Sequence, residues 1–121
     1  YGLTMVLHPP VFVRAAEMVE LWNEEDDYRQ QTYRSTFRTC ELLVLDDLGK
    51  EDHTTEYRSA QAVRIVGSVL RSRVQAGLAT IITMNVEYDA VEEKYGKSVK
   101  SLLHESSESF LLINGPDKRL F

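Results

Sequence analysis

Two adjacent carboxylates, Asp46 and Asp47, close a run of four bulky apolar residues, Leu42-Leu43-Val44-Leu45, and a Leu48-Gly49 turn follows at once. A short continuous apolar run bounded by turn residues reads as a strand buried on both faces, as inside a parallel sheet. An ionised carboxylate buried there without a partner costs several kcal/mol, and two side by side also repel. A cation should therefore meet Asp46 and Asp47 where the strand ends, which in open α/β sheets is where ligands bind. A divalent metal carrying a nucleotide phosphate meets that need most economically. The other use of such a pair is structural, one Asp capping the next helix beside a salt-bridged Asp.

A second β-rich run, Ala79-Thr80-Ile81-Ile82-Thr83-Met84, ends at Asn85. If the two runs are parallel neighbours, Asp46, Asp47 and Asn85 share one sheet edge. Two carboxylates and an amide suit the hydrolysis of a phosphoanhydride. Asp46 would hold Mg²⁺, Asp47 would polarise the attacking water, and Asn85 would orient that water against a γ-phosphate. Asn85 by itself has a plain alternative, the ending of a strand or the capping of a helix.

The elements that must position these groups alternate along the chain. Residues 1–8 read as the tail of a helix, broken by His8-Pro9-Pro10, and Val11-Phe12-Val13 as a short strand. Ala15, Met18, Val19 and Trp22 recur at helical spacing, and Glu24 to Arg38 continues as an exposed helix or a mobile loop. Thr54 or Thr55 can cap a long helix from Glu56 to Gln75, with Tyr57, Ala60, Val63, Val66, Leu70 and Val74 as its buried stripe. Gly77 ends that helix. Two short helical segments, 87–94 and 97–105, hinge at Gly96, and Phe110-Leu111-Leu112-Ile113 forms the last strand. Strands alternating with helices indicate a mostly parallel α/β sheet.

At 121 residues this is one domain. No apolar stretch is long enough to cross a membrane. Cys40, the single cysteine, cannot form an internal disulfide, which fits a reducing, cytoplasmic setting, and it reads as a small buried hydrophobe. A net charge of −5 argues against coating nucleic acid by bulk electrostatics, but the charge is uneven. Glu17 to Asp27 holds six acids and no base, whereas Tyr57 to Val86 holds only Arg58, Arg64, Arg71 and Arg73. Those arginines are either a solvated face or, at Arg64 and Arg71, a contact for DNA or nucleotide phosphate. Trp22 and Tyr28 read as packing residues. His8, His53 and His104 lack metal-ligand spacing.

As an ordered set, Leu-Leu-Val-Leu-Asp-Asp-Leu-Gly-Lys-Glu, the helix closing on Arg-Ser-Arg-Val-Gln-Ala-Gly-Leu, and Thr-Ile-Ile-Thr-Met-Asn resemble the ATPase core of DnaC-type helicase loaders. Related transposition helper ATPases share the pattern, and both belong to a branch of the AAA+ P-loop ATPases. The resemblance covers about residues 11 to 119. It implies a three-layer α/β sandwich with a mostly parallel sheet and flanking helices, incomplete at the N-terminus, so that residues 1–121 form a single partial domain. It makes Asp46 and Asp47 the Walker B pair and Asn85 the sensor-1 amide, with ATP and Mg²⁺ as cofactors. Arg73 falls on an arginine common in the family, and Gly115-Pro116-Asp117-Lys118-Arg119 is similar to its closing motif. The implied role is helicase loading in DNA replication, with a replicative helicase or transposase, single-stranded DNA and further copies of the protein as partners. The alternative role is a non-catalytic adaptor with an ATPase-like fold.

Two features depart from the pattern. The family's phosphate-binding loop, Gly-x-x-x-x-Gly-Lys-Ser/Thr, is missing. Tyr95-Gly96-Lys97-Ser98 imitates its end, but the first glycine would fall at Val91, and the segment follows a helix rather than a strand. The loop is expected just before Tyr1, so the 121 residues alone should be inactive. Secondly, Ser98 and Leu102 stand where arginines that reach a neighbour's γ-phosphate are expected, and nearby Lys100 is only a point charge. By the resemblance, a strand preceding the missing loop lies between strands 79–84 and 109–114. Without it the last strand lacks an inner partner. Residues 1–121 are therefore expected not to fold stably alone; a cooperative melt and a sharp amide spectrum would contradict this.

Overall fold

The computed structural model describes residues 8–49, 51, 54–84, 90–106 and 110–114. The order of elements is β1 (Val11–Arg14), α1 (Ala15–Trp22), α2 (Asp27–Thr39), β2 (Leu42–Leu48), α3 (Glu56–Ala76), β3 (Ala79–Met84), α4 (Val91–Glu105) and β4 (Phe110–Asn114). All four strands are parallel, in the spatial order β1-β2-β3-β4. The expected α/β class and the pairing of the two central runs are therefore met.

The expected gap in the sheet is not. β4 hydrogen-bonds directly to β3, Thr80 opposite Phe110 through Met84 opposite Asn114, so the last strand does have an inner partner. The specific reason for expecting the isolated chain to be unstable is thereby removed.

The sequential order of the strands explains a second difference. Crossovers between parallel strands are almost always right-handed, so a sheet that grows in one direction lays its connecting helices on one face. Covering both faces needs a reversal of strand order, which the described strands lack. All four helices accordingly contribute to one core with Val13, Leu43, Leu45 and Ile82. On the opposite face Val44 and Ile81 are only half-buried, and their register neighbour Phe12 is 71% exposed. The three-layer arrangement is thus corrected to two layers among the described residues, and β2 is not buried on both faces.

The helices follow their local signals. Asp26 accepts from the Arg29 amide at 2.9 Å and starts α2 as a separate helix, with Phe37 its one buried residue. Trp22 packs as expected, with the guanidinium carbons of Arg34 and Arg38 at 5.0 and 5.8 Å from its ring, but Tyr28 stands exposed. Thr55 caps α3 by accepting from the Arg58 amide at 3.1 Å. Gly77, at φ 69°, ends it in a left-handed turn in which the Leu78 amide donates to the Arg73 carbonyl at 2.9 Å.

The buried face of α3 differs from the expected stripe. Ala62, Ile65, Val66, Val69, Leu70 and Arg73 are buried, whereas Tyr57 and Ala60 face solvent and Val63 and Val74 are half-covered. Arg73 accounts for the rotation. Its guanidinium is fully buried and donates from Nε to Thr80 Oγ1 at 2.8 Å and from Nη2 to the Ala79 carbonyl at 2.7 Å. Nη1 reaches the Phe37 carbonyl at 3.1 Å and Cys40 Sγ at 3.3 Å. Burial pulls the Arg73 pKa below its ordinary value, against the opposing influence of the Cys40 sulfur. One planar cation thus ties the end of α3 to the start of β3 and the end of α2, and Cys40 is half-buried beside it rather than a plain core hydrophobe. Arg73→Ala would leave the buried Phe37 carbonyl and Thr80 hydroxyl, and the partly covered Ala79 carbonyl, without this donor. It should cost about 3 kcal/mol or more, read as a drop in the urea midpoint of the full-length protein.

Candidate functional site

A regular strand points successive side chains to opposite faces. With Leu43 and Leu45 in the helix-covered core, Asp46 belongs on the open face and Asp47 would be driven into apolar packing. The backbone prevents this. The β2–β3 register shifts between Leu45 and Leu48, and Asp47 takes φ 55°, a left-handed value that costs a non-glycine residue about 1 kcal/mol or more. The alternation slips by one, so that Asp46 and Asp47 are both half-buried and Leu48 enters the core in Asp47's place.

One hydroxyl holds this irregularity. Thr83 Oγ1 on β3 donates to Asp46 Oδ1 and itself accepts from the Asp47 amide at 2.9 Å. A threonine hydroxyl can do both at once, with one donor and two acceptor sites. Thr83 shares the open face with Asp46, since its neighbours Ile82 and Met84 mark the buried register of β3.

No ion pair reaches Asp46 or Asp47 among the described residues. Arg14, the register partner of Asp46 on β1, is exposed and is not within ion-pair distance of it. No cluster of three or more His, Cys, Asp or Glu side chains suited to a metal occurs among the described residues. Two neighbouring carboxylates, Asp46 and Asp47, are the donor type with which Mg²⁺ is usually held, water and substrate phosphates completing the shell. Met84 pairs with Leu48, which brings the end of β3 beside the Asp pair, but Asn85 itself lies outside the described residues.

The turn leaving β2 is fastened to α4. Glu51 is 5% exposed; its Oε1 accepts from the Gly49 amide at 2.8 Å and its Oε2 from the Tyr95 hydroxyl. Lys94 Nζ donates to the Gly49 carbonyl at 2.7 Å. Burial and the adjacent Glu51 charge push the Tyr95 phenol well above its ordinary pKa. The folded state thus keeps a proton that the unfolded chain loses near pH ~10, so this contribution is intact below that pH and is lost above it.

Gly96 is not part of a phosphate loop: it breaks α4 at φ 86° and ψ 168°, the helix boundary expected there. Ser98 accepts from Arg71 Nη2 at 2.7 Å, so Arg71 is tied to α4 rather than standing as a free phosphate contact, while Arg64 is exposed. Lys50, His53 and residues 115–121, with the closing Gly-Pro-Asp-Lys-Arg, lie outside the described residues. No helix among the described residues is long and apolar enough to cross a membrane.

Thr83, Glu51 and Arg14 were not singled out from sequence. Thr83 carries a faint signal, a hydroxyl one residue from the end of the strand next to the acids. Glu51 sits in a polar stretch that reads as solvated, and Arg14 at a helix start reads as an ordinary surface charge.

The chain is 28% identical over 92 residues to the replicative helicase loader DnaI of Bacillus subtilis (strain 168), a match that takes in 76% of this chain. The aligned stretch is 27% of that protein, so this chain spans about a quarter of the length of its relative. No family model matches the chain, and no solved structure matches it. The likeness is distant, and it runs in the same direction as the resemblance carried by the Asp-Asp and Thr-Met-Asn segments.

The Thr83 bridge has a direct test. Thr83→Val keeps the shape but leaves the Asp47 amide without its acceptor. It should lower stability by about 1–2 kcal/mol in urea unfolding, whereas Thr36→Val, at a half-buried position on α2, should shift it by less than ~0.5 kcal/mol.

Proposed function

We propose that this chain is part of a Mg²⁺-dependent ATPase of the helicase-loader kind, acting in DNA replication. The observation that carries the reading is the pair of half-exposed carboxylates brought together at the carboxyl edge of a parallel sheet, free of ion pairs among the described residues. The similarity to a replicative helicase loader supports it.

In this reading residues 1–121 belong to one AAA+ ATPase domain. Asp46, aligned by the Thr83 hydroxyl, would hold Mg²⁺, which when bound would supply positive charge against the phosphates. Asp47, freed from the core by its left-handed backbone, accepts a proton from the attacking water. Asn85 orients that water against the γ-phosphate. A replicative helicase is the proposed protein partner, with single-stranded DNA and further copies of the protein as the others, and the cytoplasm as the place of action.

A second reading, a non-catalytic adaptor that binds a helicase or transposase, is favoured by the residues after Gly96. Ser98 there receives Arg71 of the same chain, and Leu102 packs against the core, so neither position supplies an arginine to a neighbouring subunit. A Gly-x-x-x-x-Gly-Lys-Ser/Thr segment encoded upstream of Tyr1 would support the ATPase, and its absence the adaptor.

Asp47→Asn in the full-length protein should lower phosphate release from ATP at least ~100-fold while binding of a fluorescent ATP analogue is retained. Wild-type turnover in that variant would refute the role given to Asp47.

A further inference from the structure

The backbone at Gly49, just past the Asp pair, is held more tightly than a surface turn requires. Both backbone groups of Gly49 are engaged, the amide by Glu51 and the carbonyl by Lys94. Glu51 is in turn gripped by Tyr95, which is only 2% exposed. Two residues in this short span have positive φ, Asp47 at 55° and Gly49 at 106°. Strained backbone of this kind persists only where its surroundings over-determine it. Here the surroundings are the Thr83 hydroxyl on one side and the Glu51–Tyr95 bond on the other.

The position of Tyr95 matters as much as its bond. It is the last residue before the break at Gly96, so the first part of α4, from Val91, is fastened to the β2 turn. Beyond the break Ser98 is tied to Arg71 of α3, and Val99 and Leu103 enter the core. Among the described residues α4 is thus two pieces with separate moorings, the first of them fastened at Gly49 and Glu51 beside Asp47.

We propose that Glu51 and Tyr95 are positioning residues for Asp47: their hydrogen bond fixes the backbone at Gly49, two residues on, so that the Asp47 carboxylate is presented at the sheet edge, and it makes that presentation depend on the placement of the first part of α4. The proposal rests on the hydrolytic reading of the Asp pair. Glu51 and Tyr95 act through the backbone of the turn and are not assigned contact with ATP. A buried pair that only filled space would serve as well with an apolar side chain; a directional bond between two nearly inaccessible groups instead sets an angle.

Tyr95→Phe removes one oxygen and keeps the ring, and Glu51→Leu removes both carboxylate oxygens at similar size. In the full-length protein each should lower kcat for Mg²⁺-dependent ATP hydrolysis about 10- to 100-fold. KM for ATP and binding of a fluorescent ATP analogue should stay within about twofold, since the misplaced group acts on the water and not on the nucleotide. The double variant should be no slower than the slower single one, because both changes break the same bond. Amide hydrogen exchange at 47–49 should rise in both variants while that of β1 and α1 stays unchanged. Faster exchange with wild-type kcat would overturn the positioning role, and unchanged exchange would overturn the fastening itself. A wild-type protein that binds ATP without hydrolysing it would instead overturn the hydrolytic reading and, with it, the positioning role for Asp47.

Discussion

The structure around the candidate site depends on a conflict between strand periodicity and charge. Two consecutive acids at the end of a half-covered strand cannot both avoid the core, because neighbouring side chains point to opposite faces. The chain resolves this by breaking the strand at the second acid. Asp47 adopts a left-handed backbone, the register on β3 slips, and Leu48 takes the core position. The break needs a partner for the displaced amide, and Thr83 provides it while also binding Asp46. A strained residue, a half-exposed acid pair and a hydroxyl on the neighbouring strand are consequences of one constraint.

A second constraint governs the layers. Strands in sequential order with same-handed crossovers place α1 to α4 over one face, and Arg73 locks α3 and the end of α2 to the edge where β3 begins. The amino edge of the sheet is therefore closed by a buried cation that donates to carbonyls and hydroxyl, and the carboxyl edge carries acids without ion pairs among the described residues. The two ends have opposite chemistry, and this suits one for cohesion and the other for a cationic ligand. Phe12, Val44 and Ile81 form an apolar band on the face that the described helices leave uncovered.

These features and the distant likeness to DnaI support one functional reading from independent directions. The residues after Gly96 pull the other way, since the Arg71–Ser98 bond uses an arginine within the chain where the family resemblance leads one to expect an arginine offered outward.

The strand and helix periods, the Thr55 cap and the Gly77 stop are local, so the α/β class, the parallel pairing of the central strands and the bounds of α3 were legible in the residues themselves. The Asp46-Asp47 pair was legible too, because ionised groups after an apolar run stand out against the cost of burying them. What the sequence could not decide was anything set by which surfaces meet. The face α3 buries depends on where Arg73 finds its carbonyls, 36 residues back at Phe37 and six ahead at Ala79. The direct β3–β4 pairing and the single helical layer depend on strand order. Glu51 looks solvated until Tyr95, 44 positions away, comes to lie against it. Local signals reside in neighbouring residues and survive in a string of letters; partnerships across tens of residues exist only once the chain has folded.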